Sequence, residues 1–368
     1  MKLATVVSLL ALSTAPALSA EIANPNDTAR LLAGLPVAAD SPLASLASDS
    51  AWQAHASRFN SMFGEEDRSH LSQVRAFAKE RLSTPHDTLY YFFSGPDALH
   101  AVALFPNAST YVMAGLEPPG NIPPLASLSK GTLGHTERGM EVAIGNLMKL
   151  SYFITKNMSN QLRPGPVYGT LPVIYIFLAR SGATIDETTF VNVDSAGNEI
   201  PGDPNQKAAT KGVKIVFSLD GGPKKTLYYF STDLANGGVK NSGFLAFCEK
   251  LGANGNGADA FVKSASYLLH GDAFSTTRSF LLDHAASILQ DDTGIPVRFF
   301  DRAKWQPQPF GHYTRPIAVF SHNYQPKLAE LYNKGNPIPI DFGLGYRFRV
   351  KESSILLVQK KTIDPKAN

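Results

Sequence analysis

An open, mixed α/β sheet, partly parallel early and antiparallel later, is the fold class this sequence predicts. Three observations carry it. Leu89-Tyr90-Tyr91-Phe92-Phe93 and Thr110 to Leu116 are apolar runs separated by a short helical stretch. That is the pattern of a Rossmann-like βαβ unit over residues 88–117, with parallel, neighbouring strands. Val213 to Leu219 and Thr226 to Ser231 flank Asp220-Gly221-Gly222-Pro223, a hairpin signal. The last third alternates short apolar and short helical runs, which reads as an α+β-like C-terminal half.

Taken in chain order, the first twenty residues read as a secretory signal. Lys2 gives the charged start, Leu3 to Leu12 the apolar stretch, and Pro16 breaks any helix. Ala20 is a small residue before a cut at Glu21. The stretch is short of the roughly 20 mainly apolar residues that span a membrane. The expectation is a secreted or periplasmic chain with no integral membrane segment once the signal is removed. Residues 21–50 are rich in Ala, Ser, Pro and Asp and read as a loosely ordered lead-in, with a short helix near Thr28 to Leu32. Residues 51–368 then form one large domain, and a subdivision near 195–212 is the boundary that composition offers.

From Glu65 the pattern is helical, with Leu71, Val74, Phe77, Ala78 and Leu82 on one face. After the βαβ unit, residues 118–134 hold four prolines and read as a loop. Thr136 is expected to cap a helix reaching about Asn157, and Pro172 to Ala179 is expected to be a buried strand. Beyond the hairpin, Phe244 to Leu251 reads as a helix, as do Thr276 to His284 and Gln325 to Asn333. Val297 to Phe300, Ile317 to Phe320 and Ile355 to Gln359 read as strands, while Phe261 to His270 fits either type.

Bulk chemistry narrows the function classes. Charged residues make up 18% of 368, below the usual share of about 25%, which argues for a globular chain. The net charge is +3, or +2 once Lys2 leaves with the signal, and it is dispersed. Nucleic acid is therefore not an expected partner. Cys248 is the single cysteine. No internal disulfide can form, and its apolar setting makes it a core thiol.

Chemistry-bearing residues gather in three places. Ser94-Gly95-Pro96-Asp97 and Glu117 lie at the carboxyl ends of the two parallel strands, where open α/β sheets bind ligands. Gly95 permits close backbone approach, and Asp97 is equally a good helix cap. Asp97 and His100 share a helix face, but no metal motif is present. Asp291 and Asp292 stand before a Thr-Gly turn and suit acid–base work, a bound cation or a plain turn. His312 and Tyr313 sit among aromatics, with Arg315 and His322 close by. Ser94 lacks the nucleophile-elbow context of serine hydrolases.

Residues 88–117 resemble a nucleotide- or methyl-donor-binding Rossmann half, with an acid closing the second strand. One glycine stands where the fingerprint has a glycine-rich turn, and no residue role is carried over. Export also weighs against a cytoplasmic cofactor, and none is named by the sequence. The first functional reading is an exported protein that binds a small polar ligand or works at a surface. The alternative is an extracellular hydrolase, acting on a polar polymer or small ester through carboxylates at the strand ends.

Overall fold

Leu89, Tyr90, Tyr91 and Phe92 are all fully buried. A strand apolar on both faces belongs in the middle of a sheet covered on both sides. That is the position of β1 (Thr88–Phe92). The computed structural model describes residues 24–82, 86–150, 167–203, 207–255 and 257–361. The other strands in them are β2 (Thr110–Gly115), β3 (Ala183–Val193), β4 (Glu199–Pro201), β5 (Lys211–Leu219), β6 (Lys224–Ser231), β7 (Ala258–Val262), β8 (Ser287–Gln290), β9 (Trp305–Gly311) and β10 (Ser354–Lys360). One sheet takes them all, in the order β4-β3-β5-β6-β2-β1-β7-β8-β10-β9.

The middle five, β6-β2-β1-β7-β8, are parallel. Ranked along the chain, their order is 3-2-1-4-5, the order of doubly wound nucleotide-binding sheets. Antiparallel pairs extend the sheet on both sides, through β5, β3 and β4 at one end and through β10 and β9 at the other. The expected mixed α/β class is what the structure has. Its βαβ unit pairs β1 with β2 in parallel, from Thr88 opposite Thr110 to Phe92 opposite Ala114. The hairpin β5–β6 turns at Asp220 (φ 48°) and Gly221 (φ 72°), two left-handed residues that match strand twist.

Side chains alternate across β1 and build two cores. Leu89 and Tyr91 pack with α1 (Pro25–Leu32), α3 (Ser50–Glu66), α4 (Ser72–Arg81), α5 (Ala98–Leu104) and α7 (Leu171–Arg180). The remaining α-helices among the described residues are α2 (Ala44–Ala47), α6 (Lys130–Leu150) and α8 (Asn236–Val239). Tyr90 and Phe92 point the other way, toward α9 (Phe244–Asn254), α10 (Ser275–His284) and α11 (Pro326–Lys334). Each fully buried large side chain of this kind stabilises the fold by ~1.5–3 kcal/mol.

Several expected elements differ. Residues Leu171–Arg180 form helix α7 instead of a strand. Nine successive buried residues leave no period to read, and Pro172 suits the first turn of a helix. Val297–Phe299 and Ala318–Asn323 are short 3-10 turns, each entered just after a proline. The strands of that region are β8 and β9 instead. The helix expected from Glu65 starts at Ser50 and passes through a π-helical turn, Asp67–Leu71, before α4. Helix α6 begins at Lys130, where Ser129 Oγ accepts from Thr132 N at 3.2 Å, so the cap is Ser129 and not Thr136. Within the stretch read as a loose lead-in, α1 buries Leu31 and Leu32. The signal segment and the expected end of α6 near Asn157 lie outside the described residues.

Candidate functional site

The chain leaves β1 for β2 and then β6 on one side, and returns on the other side of β1 as β7. Strand order therefore reverses between β1 and β7, and a ligand crevice is expected above their carboxyl ends. A cleft of about 180 Å³ opens there. Four strand ends supply its walls: Ser94–Gly95 after β1, Glu117 after β2, Asp233 after β6 and Lys263–Ser264 after β7.

The backbone is strained at this place. Phe93 (φ 61°), Ser264 (φ 54°), Ser266 (φ 49°) and Tyr267 (φ 58°) are left-handed without being glycine. Each such residue costs on the order of 1–3 kcal/mol, and such strain clusters at functional sites. Asp291, Asp292 and Thr293, following β8, hold the post-β7 loop in this path. Asp291 Oδ2 accepts from Ser264 N at 2.9 Å, Thr293 Oγ1 from Ala265 N at 2.8 Å, and Asp292 Oδ2 from the Tyr267 hydroxyl at 2.6 Å. Asp291 Oδ1 also accepts from Thr293 N at 3.0 Å. Burial and the neighbouring Asp292 charge push the Asp291 carboxyl up, and burial does the same to Asp292. Both carboxyls are buried supports behind the loop.

Beneath the cleft lies a buried charge cluster. Asp97 caps α5, Oδ1 accepting from His100 N at 3.3 Å. The same carboxylate meets Lys263 Nζ at 2.6 Å and His100 Nδ1 at 2.9 Å, and accepts from the Tyr91 hydroxyl at 2.8 Å. All of these groups are almost completely enclosed. Burial alone would raise the Asp97 carboxyl, but His100 and Lys263 outweigh it and hold it well below the usual carboxylate range. Burial and the Lys263 charge push the His100 imidazole down more than Asp97 raises it. Lys263 Nζ is the cation closest to the Asp97 carboxylate. Burial and the Asp97 charge together push the Tyr91 phenol far up. His100 Nε2 is buried with no hydrogen-bond partner among the described residues, and the His70 ring lies 5.5 Å from the imidazole.

Ser94 Oγ donates to Gly95 O at 2.8 Å and Ala114 O at 3.3 Å, so its hydroxyl proton is engaged with the backbone. Glu117 is half-buried at the rim. A Cβ on Gly115 would come within 2.7 Å of Glu117 Oε2, so the missing side chain lets the carboxylate fold back over the strand end. The Tyr229 hydroxyl donates to Glu117 O at 2.9 Å and fixes the turn beneath it.

Of the residues singled out in the sequence, Ser94, Gly95, Asp97 and Glu117 line the cleft, and Asp291 and Asp292 brace it. His312 and Tyr313 lie elsewhere. His312 is exposed where β9 ends, and the Tyr313 hydroxyl accepts from Gln325 N at 3.1 Å beside α11. Lys263, Asp233 and Ser264 were missed. A lone lysine closing the apolar run Ala260–Val262 is the signal that could have found the first of them. Among the described residues, no group of three or more acidic, histidine or cysteine side chains could hold a metal ion, and no helix is long and apolar enough to cross a membrane. No family model matches this chain, and neither a curated protein nor a solved structure does.

Proposed function

We propose that the protein binds a nucleoside-bearing ligand in the crevice, with Glu117 accepting from the ribose hydroxyls. The observation that carries this is the position of Glu117. It closes the strand next to β1 in a 3-2-1-4-5 sheet and follows the Gly95 turn at about the spacing, ~20 residues, of ribose-binding acids. Charge narrows the ligand further. The lining holds Asp97, Glu117 and Asp233 against Lys263. The α5 terminus that would cradle a phosphate is already capped by the Asp97 carboxylate. A pyrophosphate is repelled there, whereas a neutral or cationic nucleoside is not. Of the two ligand types in the sequence likeness, charge favours the methyl donor, with its sulfonium cation, over a nucleotide; for an exported chain the uncharged nucleoside is the member of this class that meets both conditions.

Binding at such a crevice is preferred over hydrolysis because the Ser94 hydroxyl and both Asp291 and Asp292 carboxyls are engaged within the protein. Secretion or a periplasmic home rests on the N-terminal pattern alone; sequencing the mature N-terminus from a fractionated host tests it.

Calorimetric titration with adenosine, S-adenosylmethionine and ATP tests the ligand class. Adenosine and the methyl donor should bind, and ATP at least tenfold more weakly. Glu117→Gln should weaken the first two about 10-fold or more, since a hydrogen bond to a charged group is worth ~1.5–3 kcal/mol. ATP binding best, or an indifferent Glu117→Gln, refutes the reading.

A further inference from the structure

A second cavity of about 450 Å³ lies away from the crevice, walled by α4, α5 and the turns before β2 and β6. It is mainly apolar, through Leu71, Leu82, Leu99, Val102 and Leu219. Arg75, Lys79 and Arg180 bring three cations to it, against Asp67 and Asp220. Arg75 is paired to Asp67 at 2.7 Å. The π-helical turn Asp67–Leu71 forms part of the wall, and such turns occur frequently at functional sites.

Arg180 is the unusual group. It is half-buried, and among the described residues it forms no ion pair with a carboxylate. Nη1 donates to Asn60 Oδ1 at 2.7 Å. The guanidinium carbon lies 5.0 Å from the Phe63 ring centre and 5.9 Å from that of Phe59. Nε and Nη2, the two parallel donors of the guanidinium fork, are buried without an acceptor among the described residues. The same protein shows what that fork takes: Arg58 Nε and Nη2 each donate at 2.8 Å to one oxygen of Glu141. A fork of this shape matches a carboxylate bidentately, and an uncompensated, partly desolvated cation gains from an anion.

We propose that this cavity binds an amphipathic monocarboxylate of medium chain length, with its carboxylate on Arg180 and its alkyl chain along the Leu99–Val102 wall. The fork is covered where it stands, so binding requires the guanidinium to leave Asn60 and turn about its terminal torsions toward the cavity it lines. Phosphates and nucleotides suit the site poorly, because its walls are apolar and only one cation beyond the two acids is in surplus.

The test is calorimetric titration of the full chain with octanoate, decanoate, decanol and decylammonium. Decanoate should bind about fifteenfold tighter than octanoate, at about fourfold for each buried methylene. Decanol should be at least tenfold weaker than decanoate, and decylammonium weaker still. Ala103→Phe adds bulk at the cavity wall and should abolish binding, with the circular dichroism spectrum unchanged. Arg180→Met should bring decanoate down to the level of decanol. If that variant fails to fold, the chain-length series and Ala103→Phe still decide. Equal binding of decanoate and decanol, undiminished binding by Ala103→Phe, or no binding of decanoate overturns the proposal. Glu117→Gln should leave decanoate binding intact, so failure at the crevice and failure here are told apart.

Discussion

Replacing Asp97 by Asn separates two roles that one carboxylate holds. Asn caps a helix about as well as Asp, so the bond from His100 N is retained and a cap alone predicts almost no change. The ion pair predicts otherwise. Lys263 Nζ lies 2.6 Å from Asp97 Oδ2, with both side chains no more than 3% exposed. Solvent screening therefore takes little from it. Removing one partner of such a buried pair costs ~3–5 kcal/mol, because the other charge is left uncompensated. With a urea slope of ~3 kcal/mol/M, the unfolding midpoint should fall by ~1–1.7 M. Lys263→Met should cost a similar amount. The double variant should recover much of the loss, with a coupling of ~2–3 kcal/mol between the two sites. The pH dependence has a fixed sign. The Asp97 carboxyl is depressed in the folded state, so its contribution is present above the unfolded value of ~3.9 and is lost as pH falls below it. The gap between the parent and Asp97→Asn should narrow on acidification. A cost under ~1 kcal/mol for Asp97→Asn, or strict additivity in the double variant, would refute the ion-pair account and leave the cap alone.

Three further outcomes can be measured. Gly345 has φ +71°, and a Cβ there would overlap Asp291 Oδ2; Gly345→Ala should lose ~1–3 kcal/mol from the backbone alone, read by urea unfolding. Cys248 is fully buried and its thiol is pushed well above normal by burial; a thiol reagent should label it only when urea unfolds the chain, and reductant should leave the melting temperature unchanged. Burial and the nearby Glu141 charge push Glu137 up to about 7; because its folded value exceeds the unfolded ~4.3, stability should fall as pH rises from about 4.5 to 7, and Glu137→Gln should flatten that slope.

The parts of the fold that were legible are those with a local cause. The βαβ unit stands out because each strand is an apolar run bounded by turn residues, and the hairpin because Asp-Gly demands left-handed backbone. Their carboxyl ends placed Asp97 and Glu117 at one crevice before any tertiary contact was known. Helix α7 was illegible for the opposite reason: enclosed on every side, it has no polar stripe to betray its period. Strand β3 was missed because Asp186, Glu187, Thr188 and Thr189 interrupt its apolar character where it lies open to solvent. Lys263 is a long-range finding. It matters only because β7 returns beside β1, 163 positions from His100, and local sequence cannot express that return.

The two ends of the sheet bear on how the protein behaves when crowded. At one end β4 is three residues long and closes with Pro201; at the other, β9 carries Pro307 and Pro309. A proline has no N–H to offer an incoming strand, and Ile338 already bridges to β9 at Phe310. A ten-stranded sheet would otherwise be a template for unlimited growth, chain upon chain. Here both borders are interrupted by proline, so an added copy meets a broken ladder. Excising residues 198–202 would uncover Val191–Val193, the end of β3 that β4 pairs. That shortened chain should form fibrils from concentrated solution under conditions where the intact one stays clear.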